Sequence, residues 1–259
     1  MIRRALCALA AGAVLAGCGS SGPQSVGGSG GTGAVSGTVV VFAAASLKPT
    51  FTELAKEFEA AHDGVKVVLS FGGSDSLAAQ ITQGAPVDVF ASANTATMDT
   101  VVKRSEATAP SNFAKNSLQI AVPPGNPKGV ESLADVTRPG LKLALCATTV
   151  PCGSAAAKAF AAAGLDAHPV TLDQDVTSVL TKVELGEVDA GLVYRTDVKA
   201  ASGKVGGVDF PEASSAINVY PIAQVTTGKN AQEGRAFVAF VLSSTGQSVL
   251  QDAGFEPAT

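Results

Sequence analysis

Residues 38–47 read TVVVFAAASL, and the character of the chain is set there. Val39-Val40-Val41-Phe42 is an unbroken β-branched and aromatic run, the composition of a strand buried on both faces of a parallel sheet. It passes through Ala44-Ala45-Ser46 into a segment where Leu47, Phe51, Leu54 and Phe58 recur at intervals of four, three and four. That spacing puts them on one face of a helix, which His62-Asp63-Gly64 ends. A second strand is expected over 65–69, then a short helix with Leu77 and Ile81 inward, stopped by Gly84. Val87-Asp88-Val89-Phe90 reads as a third strand. Such β-α-β-α-β alternation specifies a doubly wound α/β sheet.

The alternation restarts after Pro110. Strands are expected over 117–122 and 141–145, and an Ala-rich helix from about Ser154 to Ala163, closed by Gly164. Val176, Val179, Leu180 and Val183 form another helical face, and Val188 to Tyr194 returns as a strand. One helix ends at Gly84 before Val87-Asp88 and another at Gly186 before Val188-Asp189, punctuation that hints at two similar lobes. Val219-Tyr220-Pro221-Ile222 reads as a return crossing. A closing helix with Phe237, Phe240 and Val241 inward follows, then a shorter one around Val249 and Leu250.

Composition narrows the function. Of 259 residues, 46% are hydrophobic and 15% charged, enough apolar material for a core and too little charge for a disordered chain. A net charge of −4 argues against a nucleic-acid partner, which calls for a basic face. With no Trp and two Tyr, an aromatic sugar-stacking cleft is not expected, and two His leave little stock for a transition-metal site.

The N-terminus reads as an address. Arg3 and Arg4 precede an apolar stretch, Ala5 to Leu15, that is too short to span a bilayer. It ends in Leu15-Ala16-Gly17-Cys18, which resembles the lipobox of bacterial lipoproteins. The resemblance implies a signal peptide over 1–17, lipidation of Cys18, and a protein held at the extracytoplasmic face of the cell membrane. Residues 19–37 follow, of which 13 of 19 are Gly or Ser, the composition of a flexible tether. Beyond Cys7 and Cys18, Cys146 and Cys152 remain; a short-loop disulfide is the favoured reading in an oxidising compartment. A metal site and a free catalytic thiol are the competing ones.

Ligands of open α/β sheets bind beyond the carboxyl ends of strands, where helices begin. Four starts qualify: Ser46 after Ala43-Ala44-Ala45, Ser74 after Gly72-Gly73, Val150-Pro151-Cys152-Gly153, and Asp173-Gln174-Asp175-Val176. Each presents unpaired amides and a positive dipole end, so four converging starts suit a small oxyanion without any Lys or Arg. Singly, each serine has an ordinary explanation as a helix cap and Gly-Gly as a turn. Tyr194 could equally be packing, Asp189 a structural turn, and His62 and His168 a helix end and a loop.

Five segments taken together, AAASL at 43–47, FGGSDSL at 71–77, GAPVDVFASAN at 84–94, VPCGSAAAKAF at 150–160 and GEVDAGLVYRTDV at 186–198, resemble the molybdate-binding proteins of bacterial molybdate ABC importers. The resemblance implies a type II periplasmic-binding-protein fold, two doubly wound lobes joined by a two-strand hinge. Residues 38–117 plus 222–259 would form the first lobe and 118–221 the second. It implies that Ser46 and Ser74 each donate a hydroxyl and a backbone N–H, Cys152 and Val176 backbone N–H groups, and Tyr194 its phenol, all to molybdate or tungstate. Molybdenum would be present only within the anion, with no direct protein ligand and no cofactor. The implied partners are a permease in the cytoplasmic membrane and the membrane itself through the anchor, with the protein a monomer and not an enzyme. Another oxyanion such as sulfate is the nearest alternative; a secreted thiol hydrolase using Cys152 and His168 is the distant one. Three positions depart from the family pattern: Cys152 is a thiol, Asp75 must turn its carboxylate from the anion, and Arg195 would bring a charge to the cleft rim.

Overall fold

The structure, a computed structural model, describes residues 36–258. The proposed signal peptide, Cys7, Cys18 and nearly all of the tether lie outside the described residues. Strand β1 (Gly37–Ala44) runs through a 3₁₀ turn, Ala45–Leu47, into α1 (Lys48–Ala61). Leu47, Phe51, Leu54 and Phe58 are all fully buried, as their spacing requires. Next come β2 (Val65–Gly72), α2 (Ser74–Thr82), β3 (Val89–Ala91), α3 (Thr95–Val102) and the long β4 (Ala107–Asn116). The chain then builds β5 (Leu118–Val122), β6 (Leu143–Cys146), α4 (Pro151–Ala163), β7 (Thr171–Asp173) and α5 (Val176–Glu184). It continues through β8 (Ala190–Tyr194), α6 (Arg195–Ala200) and β9 (Gly206–Val208), and returns in β10 (Asn218–Val225). Helices α7 (Ala231–Leu242) and α8 (Ser244–Asp252) close it.

Two mixed five-stranded sheets result, β2-β1-β3-β10-β4 and β7-β6-β8-β5-β9. In the first, β1 lies parallel to β2 and β3 while β10 runs antiparallel to β3 and β4. In the second, β6 is parallel to β7 and β8, and β5 is antiparallel to β8 and β9. Each sheet carries its own apolar core. Phe51 and Phe58 of α1 meet Phe237 of α7 at 6.1 and 5.2 Å between ring centres, sealing one face of the first sheet. Leu77 and Ile81 of α2 pack with Phe90 and Met98 on the other. The second sheet is clasped between α4 and α5, with Ala156, Phe160, Val179 and Val183 buried.

The chain crosses between sheets where β4 passes into β5, and comes back into β10. These two crossings lie side by side, because β4 and β10 pair with Asn116 opposite Asn218. The expected boundary after residue 117 falls between β4 and β5, and the one after 221 falls within β10; β1 begins at Gly37, the last residue assigned to the tether.

Several expected elements shift. Helix α4 starts at Pro151 rather than Ser154, since proline fits the first helical position, where its missing N–H is no loss. Cys152 therefore sits inside the first turn rather than before it. Strand β4 runs through Pro110, which an edge strand tolerates. A disulfide joins Cys146, at the end of β6, to Cys152, with Cα atoms 5.8 Å apart.

Candidate functional site

The carboxyl ends of β1, β2, β6 and β8 face one another across the gap between the sheets. They line a narrow cavity with about 10 Å³ of room for the centre of a water-sized sphere. Ala44, Ser46, Gly73, Ser74 and Ala93 wall it from the first sheet, and Val150, Cys152, Asp175, Val176 and Tyr194 from the second. All five residues expected to contact a ligand thus converge on one space, smaller than the roughly 300–1,000 Å³ of drug-sized pockets. A small ion fits it; a sugar or peptide does not.

The helix starts around it are unusual in what they lack. The cap positions ahead of the 3₁₀ turn, α2 and α4 are Ala44, Gly73 and Val150, none of which supplies a side-chain acceptor. The first amides of a helix have no partner inside it, and ordinary helices satisfy them with Ser, Thr, Asp or Asn caps. Here three starts leave those donors for whatever enters the cavity. At the fourth, Asp175 caps α5 by accepting from Ser178 N at 2.9 Å and Ser178 Oγ at 3.1 Å, so both its oxygens are engaged. Gly153 is required in the first turn of α4: a side chain there would overlap the Ala147 carbonyl, against which the helix start is packed.

The hydroxyls are buried and connected. Ser74 Oγ accepts from Ala93 N at 3.0 Å, which leaves its own proton free for the cavity. Ser46 Oγ lies 3.0 Å from the Tyr220 hydroxyl, and Tyr194 accepts from Asn218 Nδ2 at 2.9 Å. Burial raises the Tyr194 phenol well above its ordinary range and raises Tyr220 too, so both remain neutral donors. Burial likewise lifts Asp197 to about 7, against the lowering effect of the Tyr194 N–H it accepts at 2.9 Å and with a further push from the Asp175 charge. Among the described residues, no Lys or Arg lines the cavity.

Residues 39–256 match the family model described as bacterial extracellular solute-binding protein. The molybdate-binding protein ModA of Mycobacterium tuberculosis is 46% identical over 93% of this chain and 92% of its own length. The chain belongs to the ModA family of extracellular solute-binding proteins. A ModA-family chain is a binding protein of a transport system, not an enzyme. The periplasmic molybdate-binding protein of Azotobacter vinelandii superposes with a TM-score of 0.73 at 20% identity, covering 84% of this chain and 98% of that one. The sulfate-binding protein SubI of M. tuberculosis gives 0.74 at 20%, covering 85% and 86%. Those two likenesses establish the two-lobed fold and, being equal, do not choose between the anions.

One expectation for this ModA-family chain needs correcting. Arg195 does not reach the cleft: its side chain is 53% exposed and pairs with Asp209 at 3.9 Å. Asp75 does not line the cavity and borders a neighbouring hollow with Arg104 and Thr148, but its Oδ1 is buried beside Gly73 with no hydrogen-bond partner. Cys152 carries no free thiol, and His168 is exposed, so the hydrolase pair is not assembled. Asp189 accepts from Lys142 N at 2.8 Å and His62 bonds the Phe58 carbonyl at 2.9 Å, both structural. Sequence reading placed Asp175 within a qualifying helix start without giving it the cap role, and it missed Ala93, Asp197, Asn218 and the site role of Tyr220. Among the described residues, no group of three or more His, Cys, Asp or Glu could hold a metal, and no helix is long and apolar enough to cross a membrane.

Proposed function

We propose that this protein captures molybdate or tungstate between its lobes and hands it to an ABC permease, held at the membrane by lipidated Cys18 and acting as a monomer. One observation carries the reading: three uncapped helix starts and neutral, buried hydroxyls converge on a cavity sized for one small ion. Ser46 and Ser74 each give a hydroxyl and a main-chain N–H, Cys152 and Val176 main-chain N–H groups, and Tyr194 its phenol. Molybdenum has no direct protein ligand and no cofactor takes part. Hydrogen bonds to a charged group contribute roughly 1.5–3 kcal/mol each, so about seven of them offset the desolvation of a dianion and leave tight binding. Discrimination from sulfate comes from size, because Mo–O and W–O bonds are longer than S–O. The 46% identity to a molybdate-binding protein supports that choice of anion.

Isothermal calorimetry of the purified protein against molybdate, tungstate, sulfate and phosphate tests this. Molybdate and tungstate are expected to bind at least about 100-fold more tightly than sulfate, a gap of close to 3 kcal/mol. Equal affinity for sulfate would replace the proposal with a general dianion receptor.

A further inference from the structure

Two hydroxyls of the cavity wall take their direction from a single peptide unit, that of Ala93. Its N–H donates to Ser74 Oγ. Its carbonyl can only accept, so the Asn218 side-chain atom 2.7 Å away is the amide nitrogen, a donor. That nitrogen also lies 2.9 Å from the Tyr194 oxygen. Having two protons and no available lone pair, it donates one to Ala93 and the other to Tyr194. The Tyr194 oxygen is thereby held as an acceptor on its protein side, and its own proton must point toward Tyr220 or the cavity. Asn116, paired with Asn218 across the hinge, is fixed in the same sense: its oxygen accepts from Ser117 N at 3.1 Å and its nitrogen donates to Thr196 Oγ1 at 2.8 Å.

Two acceptors at the wall already hold a donor. Asn218 takes the Ala93 carbonyl, and Ser178 takes both oxygens of Asp175. With Asn218 filling a lone pair on its protein side, Tyr194 has its proton to offer the cavity. An anion oxygen that carries a proton then meets another proton, and its own hydrogen bond is lost.

We infer that Asn218, on the return hinge strand and behind the cavity wall, is a specificity-determining positioning residue that orients the Tyr194 hydroxyl and so excludes protonated oxyanions such as hydrogen phosphate. The inference deepens the oxyanion reading above and rests on it. Asn218 does not rank molybdate against sulfate, since both arrive without a proton at neutral pH. It separates that whole class from phosphate.

The test is calorimetry of wild-type protein and Asn218→Asp with molybdate and with phosphate, each from pH 6 to 8.5. A carboxylate accepts where the amide donated, so it captures the Tyr194 proton and turns an oxygen lone pair toward the cavity. Molybdate is expected to weaken by about tenfold or more at pH 8.5. The preference for molybdate over phosphate is expected to narrow by a similar factor, and both changes to reverse as falling pH protonates the introduced carboxyl. The ratio is the decisive readout, because simple repulsion by a new charge weakens both anions together. The wild-type series supplies the baseline for Asp197, which titrates in the same range. Asn218→Ser, uncharged and able to accept as well as donate, is expected to narrow the ratio without the pH reversal, and keeps the test open if the aspartate variant does not fold. Variants that lose both anions equally, or that keep the wild-type ratio, would overturn the role of Asn218. Wild-type protein that binds none of the oxyanions would overturn the reading of the cavity, and this inference with it.

Discussion

Gly73→Ala separates the fit between the lobes from the folding of either one. Gly73 has φ −58° and ψ 132°, a conformation that alanine adopts without strain. Its added Cβ would approach Asp75 Oδ1 to 2.8 Å and overlap the main-chain carbonyl of Gln174. The Asp75 side chain can rotate away. Gln174, which lies between β7 and α5 on the other sheet, presents backbone and would have to withdraw by about 1 Å to reach ordinary contact. Two strand crossings connect the lobes, so opening at the hinge relieves the overlap without disturbing either core. Overpacking of this kind costs about 1–3 kcal/mol, which translates to roughly 5- to 150-fold weaker anion binding. In the ligand-free state, the alanine restricts the unfolded chain and contributes about 0.4–1 kcal/mol, so the melting temperature is expected to hold or rise slightly. Calorimetry with molybdate and a thermal melt without it measure the two effects separately. Unchanged affinity, or a ligand-free melting temperature lowered by several degrees, would show that the lobes do not meet at Gly73 when the anion binds.

Ser74→Ala removes a cavity donor and strands the Ala93 N–H; affinity for molybdate is expected to fall about 10- to 100-fold by calorimetry. Reducing the Cys146–Cys152 bond, which closes a loop with a sequence separation of 6, is expected to remove about 2 kcal/mol of stability. Differential scanning fluorimetry with and without reductant should show a drop of roughly 4–8 °C, and Cys146→Ser should reproduce it. Asp197 titrates at about 7 in the fold and near 3.8 when unfolded, so the folded state binds the extra proton between those values. Stability is therefore expected to fall as pH rises from about 4 to about 7, by an amount on the order of a few kcal/mol. Asp197→Asn keeps an acceptor for Tyr194 N and should flatten that slope in urea titrations at pH 5 and pH 8.

Strand β1 and the helix after it were legible because apolar spacing and burial coincide there: Leu47, Phe51, Leu54 and Phe58 could lie on no other face. Where burial is thin, the signal failed. Strand β4 exposes much of its length and contains Pro110, so it carried neither alternation nor an apolar run, and β7 and β9 are three residues each. The positions walling the cavity were readable as helix starts, since a serine or glycine between strand and helix is a local signal. The residues behind the wall were not. Asn218 and Tyr220 reach Tyr194 and Ser46 across sequence separations of 24 and 174, and nothing in their neighbourhoods marks a hydrogen-bond partner. Arg195 erred the other way: adjacency to Tyr194 suggested proximity to the ligand, but successive residues at the start of α6 point in different directions.

Ala44, Gly73 and Val150 occupy places where a serine or aspartate would ordinarily strengthen a helix by about 1 kcal/mol. The protein goes without that reinforcement at all three. An engineer seeking heat resistance would repair these positions first, and each repair would fill with a side-chain oxygen the berth meant for an oxygen of the cargo. Robustness and uptake compete at the same amides, so the hardiest version of this chain would be one that carries nothing.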